Sequence, residues 1–185
     1  MSIGIGFESV LEAAKIGAEW AWSTLYGEIA GPVTGFFRSR GVMEPESATG
    51  DVFFELSRNL HAFEGTEDSF RTLVFTIAYQ RLLIEGRHPR QSPRSALADR
   101  VLDKLRSDIV VAIEDTDHAI PPDVKMAFEE LQPEQRDVLS LRVVAGLSME
   151  QTAKVIGITI DTVKSAQRTG LAAIRRTLPP PVVAT

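Results

Sequence analysis

The hydrophobic residues of this chain recur at intervals of three and four positions along most of its length. Leu73 and Ile77 are four residues apart, and the apolar positions from Val101 to Ala112 keep the same spacing. This period places apolar side chains on one face of a helix, whereas the alternation of apolar and polar residues that is typical of strands is absent. The pattern predicts an all-α protein.

Glycine and proline residues divide the predicted helices. Residues 86–93 and 114–123 are polar stretches that contain proline and have the composition of linkers. We therefore expect two small helical domains joined by a linker. The expected parts are a first domain at 1–88, a linker at 89–122 with one helix near 95–113, a second domain at 123–179 and a tail at 180–185. Breaks between helices are predicted at Gly31-Pro32, Gly41 with Pro45, Gly65, Pro133, Gly146 and Gly157.

Residues 146–177 have the pattern of a helix-turn-helix. Ser148 and Gln151 form a capping box at the start of a helix that runs to residue 156. Gly157 supplies the left-handed backbone that a tight turn needs, and Thr159 caps a second helix from residue 160 to about residue 177. The small or apolar residues that such a motif packs between its two helices are Ala153, Ile156, Ile158 and Val163.

The opposite face of the second helix is polar and basic, which suits entry into the major groove of duplex DNA. An ordinary helical hairpin with a solvated basic face is the alternative, because helix-turn-helix spacing also occurs by chance. The residues of this face are Asp161, Thr162, Lys164, Ser165 and Arg168, followed by Arg175 and Arg176.

Composition and charge exclude several classes of protein. The 185 residues are 44% hydrophobic and include no cysteine, so a folded chain is expected without disulfides or thiolate metal sites, as suits a cytoplasmic protein. No apolar run reaches the roughly 20 residues that cross a bilayer, so membrane insertion is not expected. His61, His88 and His118 are too scattered for a metal site, and no cofactor is expected.

The net charge of −5 conceals alternating blocks of charge along the chain. Residues 42–85 and 111–140 are acidic, whereas residues 87–110 and 141–185 are basic. This arrangement suits a protein that binds a protein partner with one surface and phosphates with another, although solvated faces of unrelated helices give the same pattern.

The helix-turn-helix and the residues before it resemble region 4 of the extracytoplasmic-function (ECF) sigma factors, the family of small bacterial initiation factors. Residues 131–142 (LQPEQRDVLSLR) and 146–165 follow the region 4 pattern nearly throughout. On this motif alone, other regulators with a similar C-terminal domain would fit as well.

The first half of the chain resembles region 2 of the same family. Residues 45–56 (PESATGDVFFEL) resemble region 2.2, and residues 61–78 resemble regions 2.3 and 2.4. Residues 22–41 take the place of regions 1.2 and 2.1, so the resemblance covers about residues 7–178. Two motifs in the family's order and spacing are more specific than either alone.

The resemblance implies a promoter-specificity subunit, without an active site of its own, that binds core RNA polymerase and promoter DNA. An anti-sigma factor is a further expected partner, because ECF sigma factors commonly have one. The helix of region 2.2 binds the clamp helices of polymerase, which implies contacts at Glu46, Asp51, Phe54, Glu55 and Arg58. Region 4 binds the minus-35 duplex, which implies contacts at Thr159, Asp161, Thr162, Lys164, Ser165, Arg168, Arg175 and Arg176.

Regions 2.3 and 2.4 melt and read the minus-10 element. Opening needs a base turned out of the stack and held against aromatic side chains, with polar groups at its edge. Phe63, Phe70 and Tyr79 are candidates for that surface, and burial in the core is the alternative for Phe63 and Phe70. Phe75 and Ile77 are expected in the core. The predicted minus-10 set is Phe63, Glu64, Phe70, Arg71, Tyr79, Gln80, Arg81 and Arg87.

The chain departs from the usual family pattern in both regions. The departures in region 2 concern polymerase binding and minus-10 specificity, and those in region 4 concern the minus-35 contact, where two arginines often stand. We expect the function to be kept and the promoter to be unusual. The residues that depart from the family pattern are Ser47, Ala48, Leu73, Tyr79, Gln80, Ile84, Glu85, Ala166 and Thr169.

Two other functions fit the sequence. One is a stand-alone helix-turn-helix regulator that binds a palindromic operator without polymerase. The other is a degenerate sigma homologue that acts as a protein-interaction module and titrates an anti-sigma factor. An enzyme is least expected, because no nucleophile and base pair, phosphate-binding glycine loop or metal-ligand cluster is recognisable.

Overall fold

The structure, a computed structural model, describes residues 4–85 and 122–178. These residues fall into two compact units, with residues 4–85 in the first and residues 122–178 in the second. All regular secondary structure in both ranges is helical, which confirms the all-α prediction. In neither range is any helix long and apolar enough to cross a membrane.

The first unit is built on three long helices, α2 at Glu19–Ser39, α3 at Pro45–Asn59 and α4 at Glu67–Glu85, together with the shorter α1 at Phe7–Lys15. Helix α2 packs against α3, and α3 packs against α4, with α1 against the side of α2. The centre of this core is formed by fully buried aromatic and aliphatic side chains, among them Phe36, Phe37, Leu56 and Phe75. A 3-10 turn at Gly4–Gly6 precedes α1, and another at Leu60–Ala62 follows α3.

The break predicted at Gly31-Pro32 is wrong, because α2 continues through both residues. A proline inside a helix removes one hydrogen bond and costs about 3 kcal/mol. Ile29, Val33 and Phe36 lie on either side of the proline and are at most 2% exposed. Since burial of each such side chain contributes about 1.5–3 kcal/mol, tertiary packing outweighs the local cost of Pro32.

The second unit has three shorter helices, α5 at Pro122–Glu129, α6 at Pro133–Leu139 and α7 at Met149–Ile156, around its last helix, α8 at Ile160–Thr177. Helices α5, α6 and α7 all pack against α8. The approach of α6 to α8 is close at Gly170, where a Cβ atom would lie 3.0 Å from Leu139 Cδ1. A π-helical turn at Ser140–Val144 follows α6.

Several predictions lie outside the described residues. They are almost all of the linker at 89–122 with its helix near 95–113, the minus-10 residue Arg87, and the tail at 180–185. The predicted domain boundaries stay predictions for the same reason.

Candidate nucleic-acid interface

The start of α7 is held by the capping box that the sequence predicts. Ser148 Oγ accepts a hydrogen bond from the Gln151 backbone N–H at 3.1 Å, and Gln151 Oε1 accepts one from the Ser148 backbone N–H at 2.7 Å. Each side chain therefore satisfies a backbone donor that the first turn leaves without a helical partner. The local sequence alone determines where this helix begins.

The turn between α7 and α8 also forms as predicted. Gly157 has φ +81°, the left-handed conformation that favours glycine, and its N–H donates to the Ala153 carbonyl at 2.9 Å. Two residues later, Thr159 Oγ1 accepts a hydrogen bond from the Thr162 backbone N–H at 3.2 Å. This cap starts α8 at Ile160, as the sequence indicates.

A small apolar core holds the two helices together. Ala153 of α7 and Val163 of α8 are buried with Val138 and Ala166, and the predicted residues Ile156 and Ile158 pack against them. Ala166 is 4% exposed, so this departure from the family pattern occupies a core position. A long charged side chain at residue 166 would have to leave that core to reach DNA.

The outer face of α8 carries the predicted minus-35 residues. Thr159 and six residues of the helix are exposed, and Thr162 is partly buried. Lys164 Nζ lies 3.4 Å from Asp161 Oδ1, one turn away. The exposed residues of the helix are Asp161, Lys164, Ser165, Arg168, Arg175 and Arg176.

Glu150 is a second carboxylate near this face, on the first turn of α7. Its carboxylate accepts a hydrogen bond from Ser148 Oγ at 2.9 Å. A backbone hydrogen bond and then this side-chain bond lower the pKa of Glu150, with smaller contributions from the charges of Arg142 and Lys164. The carboxylate is thus already engaged in the cap of α7.

Arg142 connects the start of the helix-turn-helix to α8, a role that the sequence predictions missed. Its Nε donates to Gln167 Oε1 at 3.1 Å, and its Nη1 donates to the Leu147 carbonyl. The side chain is partly buried, so these bonds hold the segment before α7 against the middle of α8. The sequence indicates this role only in that Arg142 is the last residue of the segment 131–142, which resembles region 4.

Thr169, another departure, bonds within the unit. Its hydroxyl accepts a hydrogen bond from Gln135 Nε2 of α6 at 3.0 Å and lies 2.9 Å from the Ser165 carbonyl. The side chain is exposed but tied to the α6 side of the helix. Residues 166 and 169 therefore both serve packing between α6 and α8 here.

In the first unit, Phe70 is a core residue. Its side chain is 0% exposed, and its ring lies between Phe7 and Phe63, with ring centroids 5.6 Å and 5.8 Å away. A buried ring offers no face to an extruded base, so the core alternative applies to Phe70 and its minus-10 assignment is corrected. Phe63 is partly buried and keeps part of its ring at the surface. Phe75 and Ile77 are buried, as predicted.

The remaining minus-10 residues divide by exposure. Glu64 and Gln80 are exposed, whereas Arg71 and Tyr79 are partly buried. Arg81 forms an ion pair with Asp51 of α3, and the two side chains are 21% and 31% exposed. This pair joins a residue predicted to contact DNA to one predicted to contact polymerase.

The predicted polymerase face lies on α3. Phe54 is 37% exposed, and the Arg58 guanidinium lies 6.0 Å from the centre of its ring, within the range of a cation–π contact. Glu46 is paired with Arg38 of α2 at 2.5 Å, and Glu55 is partly buried. The face is thus an aromatic and cationic patch beside carboxylates, two of which, Glu46 and Asp51, are ion-paired within the unit.

Comparison with known proteins identifies relatives over nearly the whole chain. The model of the family described as sigma-70, region 4 matches residues 127–176. The ECF RNA polymerase sigma factor BldN of Streptomyces coelicolor is 25% identical over 175 residues, which are 92% of this chain. The chain spans 65% of the length of that relative.

Chains from two solved structures also match this chain over most of its length. A chain from the structure of CnrH in complex with the cytosolic domain of CnrY matches with a TM-score of 0.64 at 18% identity. The match covers 92% of this chain and 96% of that one, so the two share a fold. A chain from the RsbN–BldN complex is 21% identical, covering 91% of this chain and 99% of that one, but its TM-score of 0.36 is too low to support a structural argument.

Proposed function

We propose that the chain is a sigma factor of the ECF group of the sigma-70 family, which binds core RNA polymerase and directs it to promoters through minus-35 and minus-10 elements. It has no catalytic role in this proposal. The polymerase supplies the chemistry, and this chain supplies promoter specificity. The place of action is then the cytoplasm, where the polymerase and the chromosome are.

The observation that carries the proposal is the outer face of α8. A buried core and two capped helices hold this face in the geometry of a recognition helix, and Lys164, Ser165 and Arg168 point away from the core. Recognition helices of this type lie in the major groove, where such side chains reach base edges and phosphates. This surface supports minus-35 binding.

The net charge of −5 supports a factor that depends on polymerase. A net negative charge opposes the approach of DNA phosphates, so the chain's own affinity for duplex DNA is expected to be low. Binding to polymerase would raise the affinity for promoter DNA by holding α8 at the promoter.

The first unit is proposed to bind polymerase through α3 and the minus-10 strand through the surface around Phe63. Phe54 with Arg58 is the best candidate for an anchor on polymerase, because exposed aromatic residues and arginines dominate the energy of many interfaces. Phe63 is the best candidate to hold an extruded base, with Glu64 beside it as an exposed polar group.

A protein partner that holds the free factor is proposed as well. The structure of CnrH, which has a similar fold, contains the cytosolic domain of CnrY as a bound partner. For this chain, an anti-sigma factor stays a prediction.

The direct test combines binding with transcription. The full chain is mixed with bacterial core RNA polymerase, a one-to-one complex is sought by gel filtration, and the transcripts that it starts on genomic DNA are sequenced. The proposal expects a complex whose start sites share minus-35 and minus-10 elements. A complex without transcripts would favour the protein-interaction module, and no complex, with tight binding to a palindromic site, would favour the stand-alone regulator.

A further inference from the structure

The DNA-facing surface of α8 includes a carboxylate in its first turn. The Asp161 side chain is 92% exposed, and its Oδ1 lies 3.4 Å from Nζ of Lys164, whose side chain is 58% exposed. A carboxylate on a surface that meets phosphates lowers affinity for every DNA sequence alike. It favours binding only where a hydrogen-bond donor of a base comes within its reach.

Asp161 is not needed to build the helix. The cap of α8 is supplied by Thr159, whose hydroxyl accepts the Thr162 N–H at 3.2 Å, and the packing is supplied by Val163 and Ala166. An acidic residue in the first turn does interact favourably with the helix dipole, but any carboxylate near this end does so. The fold therefore leaves the Asp161 side chain to solvent.

The neighbouring carboxylate, Glu150, is in a different situation. It accepts a hydrogen bond from Ser148 Oγ at 2.9 Å and is bound into the cap of α7. Asp161 has a looser contact, the 3.4 Å pair with Lys164, which a base can replace without breaking a cap. Of these two carboxylates, Asp161 is the one available to the groove.

We propose that Asp161 and Lys164 together recognise two adjacent base pairs of the minus-35 duplex, one through its cytosine and the other through its guanine. Asp161 accepts a hydrogen bond from the N4 amino group of a cytosine, and Lys164 donates to O6 and N7 of a guanine in the adjacent base pair. These are the pairings that a carboxylate and an ammonium make in the major groove. The inference rests on the proposed function, since it assumes that α8 binds the minus-35 element.

The geometry of the helix suits two adjacent base pairs. Residues three apart lie on one face of a helix with Cβ atoms about 5–6 Å from each other. The charged atoms of Asp161 and Lys164 converge to 3.4 Å, which is about the 3.4 Å rise between adjacent base pairs. The two charges cancel, so the pair adds little non-specific attraction to phosphates. The pair contributes selectivity, because Asp161 and Lys164 give up their contact with each other only where both find hydrogen-bond partners on the bases.

The test uses the full chain bound to core RNA polymerase and a promoter library. The minus-35 element is randomised upstream of a fixed minus-10 element, and the enriched sequences are read from the transcripts. In Asp161→Asn, preference for cytosine at one position is expected to fall about tenfold and to move to adenine, because an amide pairs with N6 and N7 of adenine. In Lys164→Ala, preference for guanine at the adjacent position is expected to fall.

Asp123→Asn is the matched control, because Asp123 is an exposed aspartate in the first turn of another helix, α5. The control should leave the enriched sequence unchanged. The inference is overturned if Asp161→Asn enriches the wild-type sequence, if it strengthens binding to all sequences equally with a steeper salt dependence, or if Asp123→Asn has the same effect. If the wild-type complex enriches no minus-35 sequence at all, the proposed function itself fails.

Discussion

Arg81 of α4 and Asp51 of α3 form an ion pair that lies between two predicted binding surfaces of the first unit. Both side chains are less than a third exposed, so each charge depends on the other for much of its stabilisation. The pair fixes α4, which carries the predicted minus-10 residues, on α3, which carries the predicted polymerase residues.

Arg81→Ala is expected to destabilise the first unit by about 1–3 kcal/mol, because it leaves the carboxylate of Asp51 partly buried without its partner. Both tryptophans, Trp20 and Trp22, belong to this unit, so their fluorescence during urea unfolding reports on it. A double-mutant cycle with Asp51→Asn isolates the pair energy.

The matched control for that cycle is the pair of Arg38 and Glu46, whose side chains are each more than half exposed. Its coupling energy should be below about 1 kcal/mol. Equal coupling in both cycles would contradict a structural role for the Asp51–Arg81 pair.

Phe70→Ala is expected to destabilise the first unit by about 3–5 kcal/mol, the usual cost of truncating a fully buried phenylalanine. Phe63→Ala should cost clearly less, because the Phe63 ring is partly exposed. Urea unfolding followed by tryptophan fluorescence separates the two variants.

A promoter-opening assay then distinguishes a packing role from a base-contact role for Phe70 and Phe63. Phe70→Leu, which keeps the core filled, should open promoters normally once folded, whereas Phe63→Leu should slow opening measured by permanganate reactivity of the minus-10 strand. Normal opening by Phe63→Leu would remove Phe63 from the minus-10 surface.

Lys164→Ala and Arg168→Ala are each expected to lower promoter-dependent transcription while leaving the complex with polymerase intact. Both residues are exposed on α8 and neither contributes to the core. The loss of a charged contact should weaken promoter binding by roughly tenfold. Where the lost contact is to a phosphate, the slope of the logarithm of the binding constant against the logarithm of the salt concentration should become shallower by about one.

The control for these variants is Lys125→Ala, which removes an exposed lysine from α5 of the same unit. It should leave transcription unchanged. If Lys164→Ala or Arg168→Ala instead abolishes binding to polymerase in gel filtration, the assignment of α8 to DNA is incorrect.

Gly170→Val is expected to destabilise the second unit by about 1–3 kcal/mol, because the added atoms meet Leu139 and Gln135 of α6 at the closest approach of the two helices. Thermal unfolding followed by circular dichroism at 222 nm measures the change. Ala172→Val places the same side chain at an exposed position of α8 and should cost about 0.5 kcal/mol or less. Because valine is a better helix former than glycine, propensity alone would stabilise Gly170→Val, and a loss no larger than that of Ala172→Val would contradict the steric effect at residue 170.

The helix-turn-helix was predictable from the sequence because its determinants are local. The Ser148 and Gln151 capping box, the left-handed Gly157 and the Thr159 cap each act within four residues, so the predicted bounds of α7 and α8 agree with the structure. The all-α class followed from the period of the apolar residues in the same way.

Burial and pairing between distant residues were decided only by the tertiary structure. The sequence predicts a helix break at Pro32, but packing of α2 on α3 keeps the helix continuous. The sequence is compatible with Phe70 either at the DNA surface or in the core. Its contact with Phe7, 63 residues away, places it in the core. Residue 51 meets residue 81 only because α3 and α4 pack together. Local hydrogen bonds depend only on residues that are neighbours in the sequence. The environment of a side chain depends instead on which faces of distant helices come into contact.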